Sequence, residues 1–228
     1  MAEDPTEVAV RNLVTLRRLS NGLARDVRQQ VRSLIDAYIA ELARIDPTAV
    51  TRDRYRKQRV GKLLEKIEAI NKQRYPEIRK LLESTAAGVG QQQAQYAQKA
   101  LQSMVGTVEI GPGAGLTVTH FRRILRTDPF DGDTLALWMQ RHRTSTVNAV
   151  RRQIQLGMAQ GEPLQDIVRR IRGRSAGRGR FTGGVLATST REAEGIARTA
   201  INYIANQGQL AFYEQQSDIV EQVEFTAT

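Results

Sequence analysis

The stretch from Ser189 to Thr228, STREAEGIARTAINYIANQGQLAFYEQQSDIVEQVEFTAT, decides the fold class of this chain. Its first residues predict the start of a helix, because a hydroxyl side chain, Ser189 or Thr190, lies ahead of Glu192. In such a capping box the hydroxyl and the glutamate accept hydrogen bonds from free amides at the first helical turn. Apolar residues then recur every three or four positions from Ile196 to Ala211, which is the spacing of one helix face.

The second half of this stretch predicts a strand. Gly208 is expected to bend the helix or to end it early. Ile219, Val220, Val223 and Phe225 are β-prone and partly alternate, as in the first strand of a small sheet. We therefore expect a mainly α chain, with a long N-terminal helical hairpin and then a smaller helical domain that ends in the first strand of an α+β element.

Two long helical patterns predict the N-terminal hairpin. The first begins at Asp4 or Thr6 and stops at Asp46-Pro47. Its apolar stripe consists of Val10, Leu13, Val14, Leu16, Leu23, Val27, Val31, Leu34, Tyr38, Leu42 and Ile45. The second begins at Thr51 after a short turn, and Pro76 is expected to break or kink it. The stripes are best explained by the two helices packing on each other; the alternative is that part of a stripe packs on another subunit.

The middle of the chain separates this hairpin from the C-terminal helices. A polar, glutamine-rich third helix is predicted from Gly88 to Val105, with its glutamines in solvent. A loop with the sequence GPGAG follows, and residues 120–126 predict a short basic helix. The next helix runs from Leu135 to about Ala159, Gly161 ends it, and Pro163 opens a short helix. These patterns predict an assembly region at 1–105, a linker at 106–134 and a helical domain at 135–228.

Arginine dominates the segment from Arg141 to Arg180, which holds ten arginines, no lysine and two acids. Within it, residues 172–181 predict a mobile basic loop between two helices. Guanidinium groups pair well with phosphate or carboxylate, so this segment is a candidate contact for nucleic acid or an acidic partner. The candidate contact residues are Arg169, Arg170, Arg172, Arg174, Arg178 and Arg180. The alternative, a solvated loop in a basic protein, explains the composition equally well.

Overall composition agrees with an anionic partner. The formal net charge is +10 and the sequence pI is about 10.4, which favours association with polyanions. The chain has no cysteine, and no apolar run approaches the roughly 20 residues that cross a bilayer. Its N-terminus, Met1 to Pro5, is polar and unlike a secretory signal. We expect a soluble protein made in the cytoplasm, without a membrane partner.

Motifs for catalysis and cofactor binding are weak. The GPGAG segment lacks the spacing of a dinucleotide-binding loop, and residues 173–180 lack the Lys-Ser/Thr of a P-loop. His120 and His142 are the only histidines and form no HExxH pair. The aspartates at 128, 131 and 133 fail the EF-hand pattern. We expect a non-enzymatic protein without metal or cofactor, although the sequence leaves a Ser-His-Asp arrangement open.

The C-terminal pattern resembles the phage Mu F-like head morphogenesis family. An Ala-rich helix carries Ile196-Ala197-Arg198-Thr199, then Asn202, then Asn206-Gln207-Gly208, and the strand ends Glu224-Phe225-Thr226-Ala227-Thr228. Upstream, the block from Gln155 to Leu164, continuing through Ile167 and Ile171, fits the family's helix that ends in glycine and its following short helix. The resemblance covers residues 135–228. The Asp-Xaa-Arg-Thr segment that usually continues the last strand in the family is not in this sequence.

The resemblance implies a structural minor head protein of a tailed bacteriophage. Such proteins associate with the portal vertex or capsid interior and act in head assembly. The implied partners are the portal protein ring, a capsid or scaffolding protein, and packaged double-stranded DNA held through its backbone, in a multi-copy assembly. Two alternatives stay open: a DNA-binding helical module unrelated to virions, and the N-terminal part of a toxin or enzyme whose catalytic domain lies beyond residue 228.

Overall fold

The protein is mainly α-helical, as the sequence predicts. The computed structural model describes residues 5–44, 53–106, 109–175, 177 and 181–220. Its helices are α1 (Pro5–Ala43), α2 (Asp53–Val105), α3 (Val118–Thr127), α4 (Leu135–Ala159), α5 (Leu164–Arg172) and α6 (Gly184–Glu214). Two short strands, β1 (Arg174–Ser175) and β2 (Phe181–Thr182), pair antiparallel with Arg174 opposite Thr182.

The chain forms two compact units that are interleaved along the sequence. Unit 1 comprises Met1–Ala24, Leu81–Leu135 and Ala197–Thr228, and unit 2 comprises Arg25–Lys80 and Ala136–Ile196. Helices α1, α2 and α6 each supply residues to both units. The units therefore do not coincide with the boundaries expected at residues 105 and 134, and the division of the chain by function stays a prediction.

Unit 1 packs parts of α1, α2 and α6 with α3. Its largest fully buried side chains include Phe121 and Leu125 of α3 and Phe212 of α6. Two glycines bring α2 and α6 together, because a Cβ built on Gly208 would lie 2.3 Å from the carbonyl oxygen of Gly90. Gly208 thus lies inside α6 and allows a close helix contact, so the expectation that it ends the helix was wrong.

Glutamines of α2 form part of the packing in unit 1, whereas the sequence had suggested that all of them are solvated. Gln93 is fully buried, and its side chain exchanges two hydrogen bonds with the Asn12 amide, at 2.9 and 3.0 Å. The Gln209 amide donates to the same Gln93 oxygen at 2.8 Å. Gln98 and Gln102 hold the backbone of Ile110 in the following loop. These residues belong to α2, which is one helix through Val105 with no separate third helix.

Unit 2 packs the rest of α1 and α2 as an antiparallel pair. Tyr38 of α1 donates to Asn71 of α2, and further along Glu41 pairs with Lys66 at 2.9 Å, so the chain order reverses between the two helices. Asn71 also donates to the Ile67 carbonyl at 2.8 Å, which satisfies its buried amide. The predicted stripe residues from Val27 to Leu42 are buried here, which confirms that part of the hairpin.

Other parts of the predicted helix pattern differ from the structure. Val10, Leu13 and Val14 are 53, 52 and 43 % exposed, so the α1 stripe is not buried along its whole length. Helix α2 continues through Pro76 because Tyr75 and Ile78 beside it are buried and hold both halves in one helix. The predicted turn at Asp46-Pro47 and the predicted start at Thr51 lie outside the described residues.

The C-terminal part confirms most elements and corrects three. Helix α4 has the predicted bounds, and Gly161 follows it with a φ of +67°. Helix α6 begins at Gly184, earlier than the predicted Ser189 or Thr190, because Val185 and Leu186 are buried and extend its packed face. Residues 172–181, expected as a loop, include the β1–β2 pair. Ile219 lies in a turn, and Val223 and Phe225 of the predicted strand lie outside the described residues.

Candidate functional site

Helix α5 presents three of the candidate arginines on unit 2. Ile167 and Ile171 are buried and fix its inner face. Gly157 of α4 permits this approach, since a Cβ there would lie 2.4 Å from the Ile167 side chain. The opposite side of α5 therefore carries arginines at or near the surface.

Each of these arginines meets a carboxylate within unit 2. Arg169 pairs with Asp166 one turn earlier at 2.8 Å, Arg170 pairs with Glu162, and Arg172 pairs with Asp36 of α1 at 2.8 Å. The exposed pair of Arg169 and Asp166 contributes little stability, about 1 kcal/mol or less, so an anionic ligand can compete with this carboxylate. Arg170 and Glu162 are partly buried. Arg174 is exposed on β1, and Arg178 and Arg180 lie outside the described residues.

A second group of arginines, which sequence reasoning missed, lines a groove of about 990 Å³ between α1 and α6 in unit 2. We call it the arginine groove. Its charged lining consists of Arg25, Arg28, Arg32, Asp36, Arg191 and Glu194. The helices run antiparallel here, because Arg28 pairs with Glu194 while Asp36 pairs with Arg172. Gly173, next to Arg172, lies against Gly184 at the start of α6. The α1 wall from residue 25 to 36 is about 16 Å long at 1.5 Å per residue.

The carboxylates of the arginine groove are already paired. Glu194 accepts from the Arg28 guanidinium, and this hydrogen bond raises the pKa of Arg28. Asp36 lies 2.8 Å from Arg172 and 4.0 Å from Arg32. Among the described residues Arg25 forms no ion pair, and Arg191 donates only to the Ala187 carbonyl of its own helix at 3.3 Å. The groove lining therefore holds four arginines against two carboxylates, which suits an anionic ligand.

Four polar side chains form a buried cluster where α2, α4 and α6 meet in unit 2. His142 is 4 % exposed; its Nδ1 lies 3.0 Å from the Tyr75 hydroxyl, and its Nε2 lies 2.8 Å from the Ser189 carbonyl oxygen. The hydroxyls of Thr146 and Ser189 bond each other at 2.7 Å. Burial lowers the pKa of His142 and raises the pKa of Tyr75, so the imidazole and the phenol are neutral at pH 7.

The shorter contact of the His142 Nε2, to the Ser189 carbonyl at 2.8 Å, favours the tautomer in which Nε2 carries the proton. One neutral tautomer satisfies both ring nitrogens, with Nε2–H donating to the Ser189 carbonyl and Nδ1 accepting from Tyr75. Nε2 lies 3.1 Å from the Ser189 hydroxyl, but in this tautomer it carries its proton and accepts none. General-base activation of a serine needs a ring nitrogen that is free to accept the hydroxyl proton. The cluster therefore acts as a packing centre that joins three helices.

The residues of the family-like pattern lie on α6. Ile196 and Ala197 are buried, Thr199 is half-buried, and Arg198 and Asn202 are exposed. The pattern therefore combines a packed face with an exposed polar face on one continuous helix.

No protein-family model matches this chain, and neither the curated proteins nor the solved structures include a match. Within the described ranges, no three His, Cys, Asp or Glu side chains are grouped as ligands of a metal ion would be. No helix in that part of the chain is long and apolar enough to cross a membrane.

Proposed function

We propose that this protein is a structural minor head protein of a tailed bacteriophage. In this proposal it is made in the host cytoplasm, is non-enzymatic, and lies in several copies at the portal vertex or capsid interior, where it acts in head assembly. The observation that carries the proposal is the residue pattern on α6, from Ile196 to Gly208, preceded by α4, Gly161 and α5 in the order typical of the head morphogenesis family.

Two physical features support this role. Long helices such as α1 and α2, of 39 and 53 residues, are well suited to assembly because they present extended surfaces. The arginines of α5 and the arginine groove give unit 2 a surface for an anionic partner, either DNA phosphates or the acidic face of a portal or scaffolding protein.

The test is to purify the native complex and image it by electron microscopy. We expect the protein at a portal vertex or inside a head, and copurification with portal or procapsid. A protein that never associates with either during assembly contradicts the proposal.

The second candidate function is a DNA-binding helical module unrelated to virions. The surplus arginines of unit 2 favour it, since they need only a polyanion. It predicts tight, salt-sensitive duplex binding by the isolated protein without any association with a portal. The third reading, an N-terminal segment of a toxin or enzyme, requires a longer natural reading frame that encodes a catalytic domain after residue 228.

A further inference from the structure

The charge of this chain is distributed unevenly along its sequence. Residues 199–228 hold four acids and no lysine or arginine, whereas the whole chain has a formal net charge of +10. The first 198 residues therefore carry +14 and the last 30 carry −4. The four acids are Glu214, Asp218, Glu221 and Glu224, which we call the acidic segment.

The described part of the acidic segment is accessible and unpaired. Glu214 ends α6, Asp218 follows in a turn, and both side chains are exposed. Within the ranges that the structure describes, neither forms an ion pair or a side-chain hydrogen bond. Gln215 between them donates to the Ala114 carbonyl at 2.9 Å, which anchors this end of α6 in unit 1.

The arginine groove has the complementary charge. Its own carboxylates, Glu194 and Asp36, are neutralised by Arg28, Arg32 and Arg172, so Arg25 and Arg191 remain to meet an incoming anion. The length of its α1 wall, about 16 Å, corresponds to about five residues of an extended segment or about eleven residues of a helix. That length and a volume of about 990 Å³ suit a short stretch of polypeptide.

We propose that the arginine groove binds the acidic segment of a second copy of this chain. Groove and acidic segment belong to different units, so the contact joins unlike surfaces of the two copies. Such a heterologous contact leaves a free groove at one end and a free acidic segment at the other, and repeating it builds a ring or a filament. The inference concerns self-association of the purified chain and does not rest on the virion assignment.

Charge reversal on each side tests the contact directly. Variant G carries Arg25→Glu and Arg191→Glu, and variant T carries Glu214→Lys and Asp218→Lys. Sedimentation velocity at low salt should show concentration-dependent association of the wild type, which raised salt disperses because exposed ion pairs are screened. Variants G and T alone should each associate at least roughly tenfold more weakly. A 1:1 mixture should recover association, because each altered surface then finds its complement.

The matched control is Arg17→Glu with Arg18→Glu, which makes the same charge change at exposed positions of α1 outside the groove. It should leave association unchanged. If circular dichroism shows that a charge-reversal variant does not fold, a neutral variant replaces it in the association measurement. The neutral replacement for variant G is Arg25→Gln with Arg191→Gln. The neutral replacement for variant T is Glu214→Gln with Asp218→Asn.

Two outcomes overturn the proposal. In the first, the wild type stays monomeric at every concentration in low salt. A monomer is also the result if the groove binds the acidic segment of its own chain. In the second, the mixture of G and T fails to associate although both fold and the wild type assembles. If the wild type does not self-associate and variant G loses binding to duplex DNA, the groove is assigned to nucleic acid.

Discussion

Gly208 shows how a single hydrogen atom in place of a side chain sets the distance between two helices. Gly208→Ala places a Cβ 2.3 Å from the Gly90 carbonyl oxygen, a backbone atom that moves only with its helix. We expect a loss of about 1–3 kcal/mol in the free energy of unfolding, the usual cost of overpacking. Urea denaturation measures it.

Gly88→Ala is the matched control in the same unit. A Cβ on Gly88, also inside a helix, meets nothing within 4 Å. This substitution should stabilise the protein by about 0.5–1 kcal/mol, because alanine loses less backbone entropy than glycine in a helix. Equal effects of the two substitutions contradict the close contact between α2 and α6.

His142 predicts how stability depends on pH. Burial lowers its pKa in the folded protein, whereas the unfolded chain titrates near 6.5. As pH falls below about 6.5, the unfolded chain binds a proton at this histidine before the folded protein does. The stability that is present above that pH is therefore lost as pH falls through the pKa of the folded state. No carboxylate pairs with the ring in the described structure. The ring bonds Tyr75 and Ser189, and Glu192 is the acid that acts on the pKa of His142.

Urea denaturation between pH 8 and pH 5 checks this prediction. His142→Gln should cost about 1–3 kcal/mol at pH 8, the penalty for disturbing buried hydrogen bonds, and should flatten the pH dependence. A pH profile unaltered by His142→Gln contradicts the role assigned to this residue.

At the scale of elements, replacing Pro76 measures what a proline inside the continuous helix α2 costs in stability. A proline inside a helix removes one backbone hydrogen bond and crowds the preceding turn, at a cost of about 3 kcal/mol. Pro76 is exposed, so Pro76→Ala should restore the bond without disturbing the core and raise the free energy of unfolding by up to about 3 kcal/mol. Pro163→Ala, at the start of α5 where proline is tolerated, should change it by less than about 0.5 kcal/mol. If both changes are neutral, Pro76 costs α2 no stability and this prediction is contradicted.

The elements predicted best from the sequence are those with local signals at both ends. Helix α4 follows a turn and is closed by Gly161, so its bounds were visible. Helix α6 was placed too late because Ser189 has a residue type typical of caps, yet tertiary hydrogen bonds to His142 and Thr146 bury it. The arginine groove was missed because its walls are separated by about 150 residues of sequence. Its α1 wall had a signal, since Arg25, Arg28 and Arg32 are spaced along one side of a predicted helix.

At the scale of the whole molecule, the formal charge of +10 predicts binding to duplex DNA that weakens steeply with salt. Fluorescence anisotropy with a mixed-sequence duplex should give a log–log salt slope that falls by about 0.9 for each phosphate contact removed. Arg169→Gln with Arg174→Gln should therefore reduce the slope by about 1.8 if both side chains touch phosphate.

Arg17→Gln with Arg18→Gln removes the same charge elsewhere and separates contact from net charge. If DNA binding depends on unit 2, this control leaves the slope nearly unchanged while the pair at 169 and 174 lowers it. If both variants lower the salt slope equally, DNA binding depends only on overall charge, and the arginines of α5 and β1 do not form a specific contact with the duplex. The variant at 169 and 174 can also bind DNA normally and lose association with the portal. That result points to an acidic protein partner, because guanidinium groups bind carboxylates as well as phosphates.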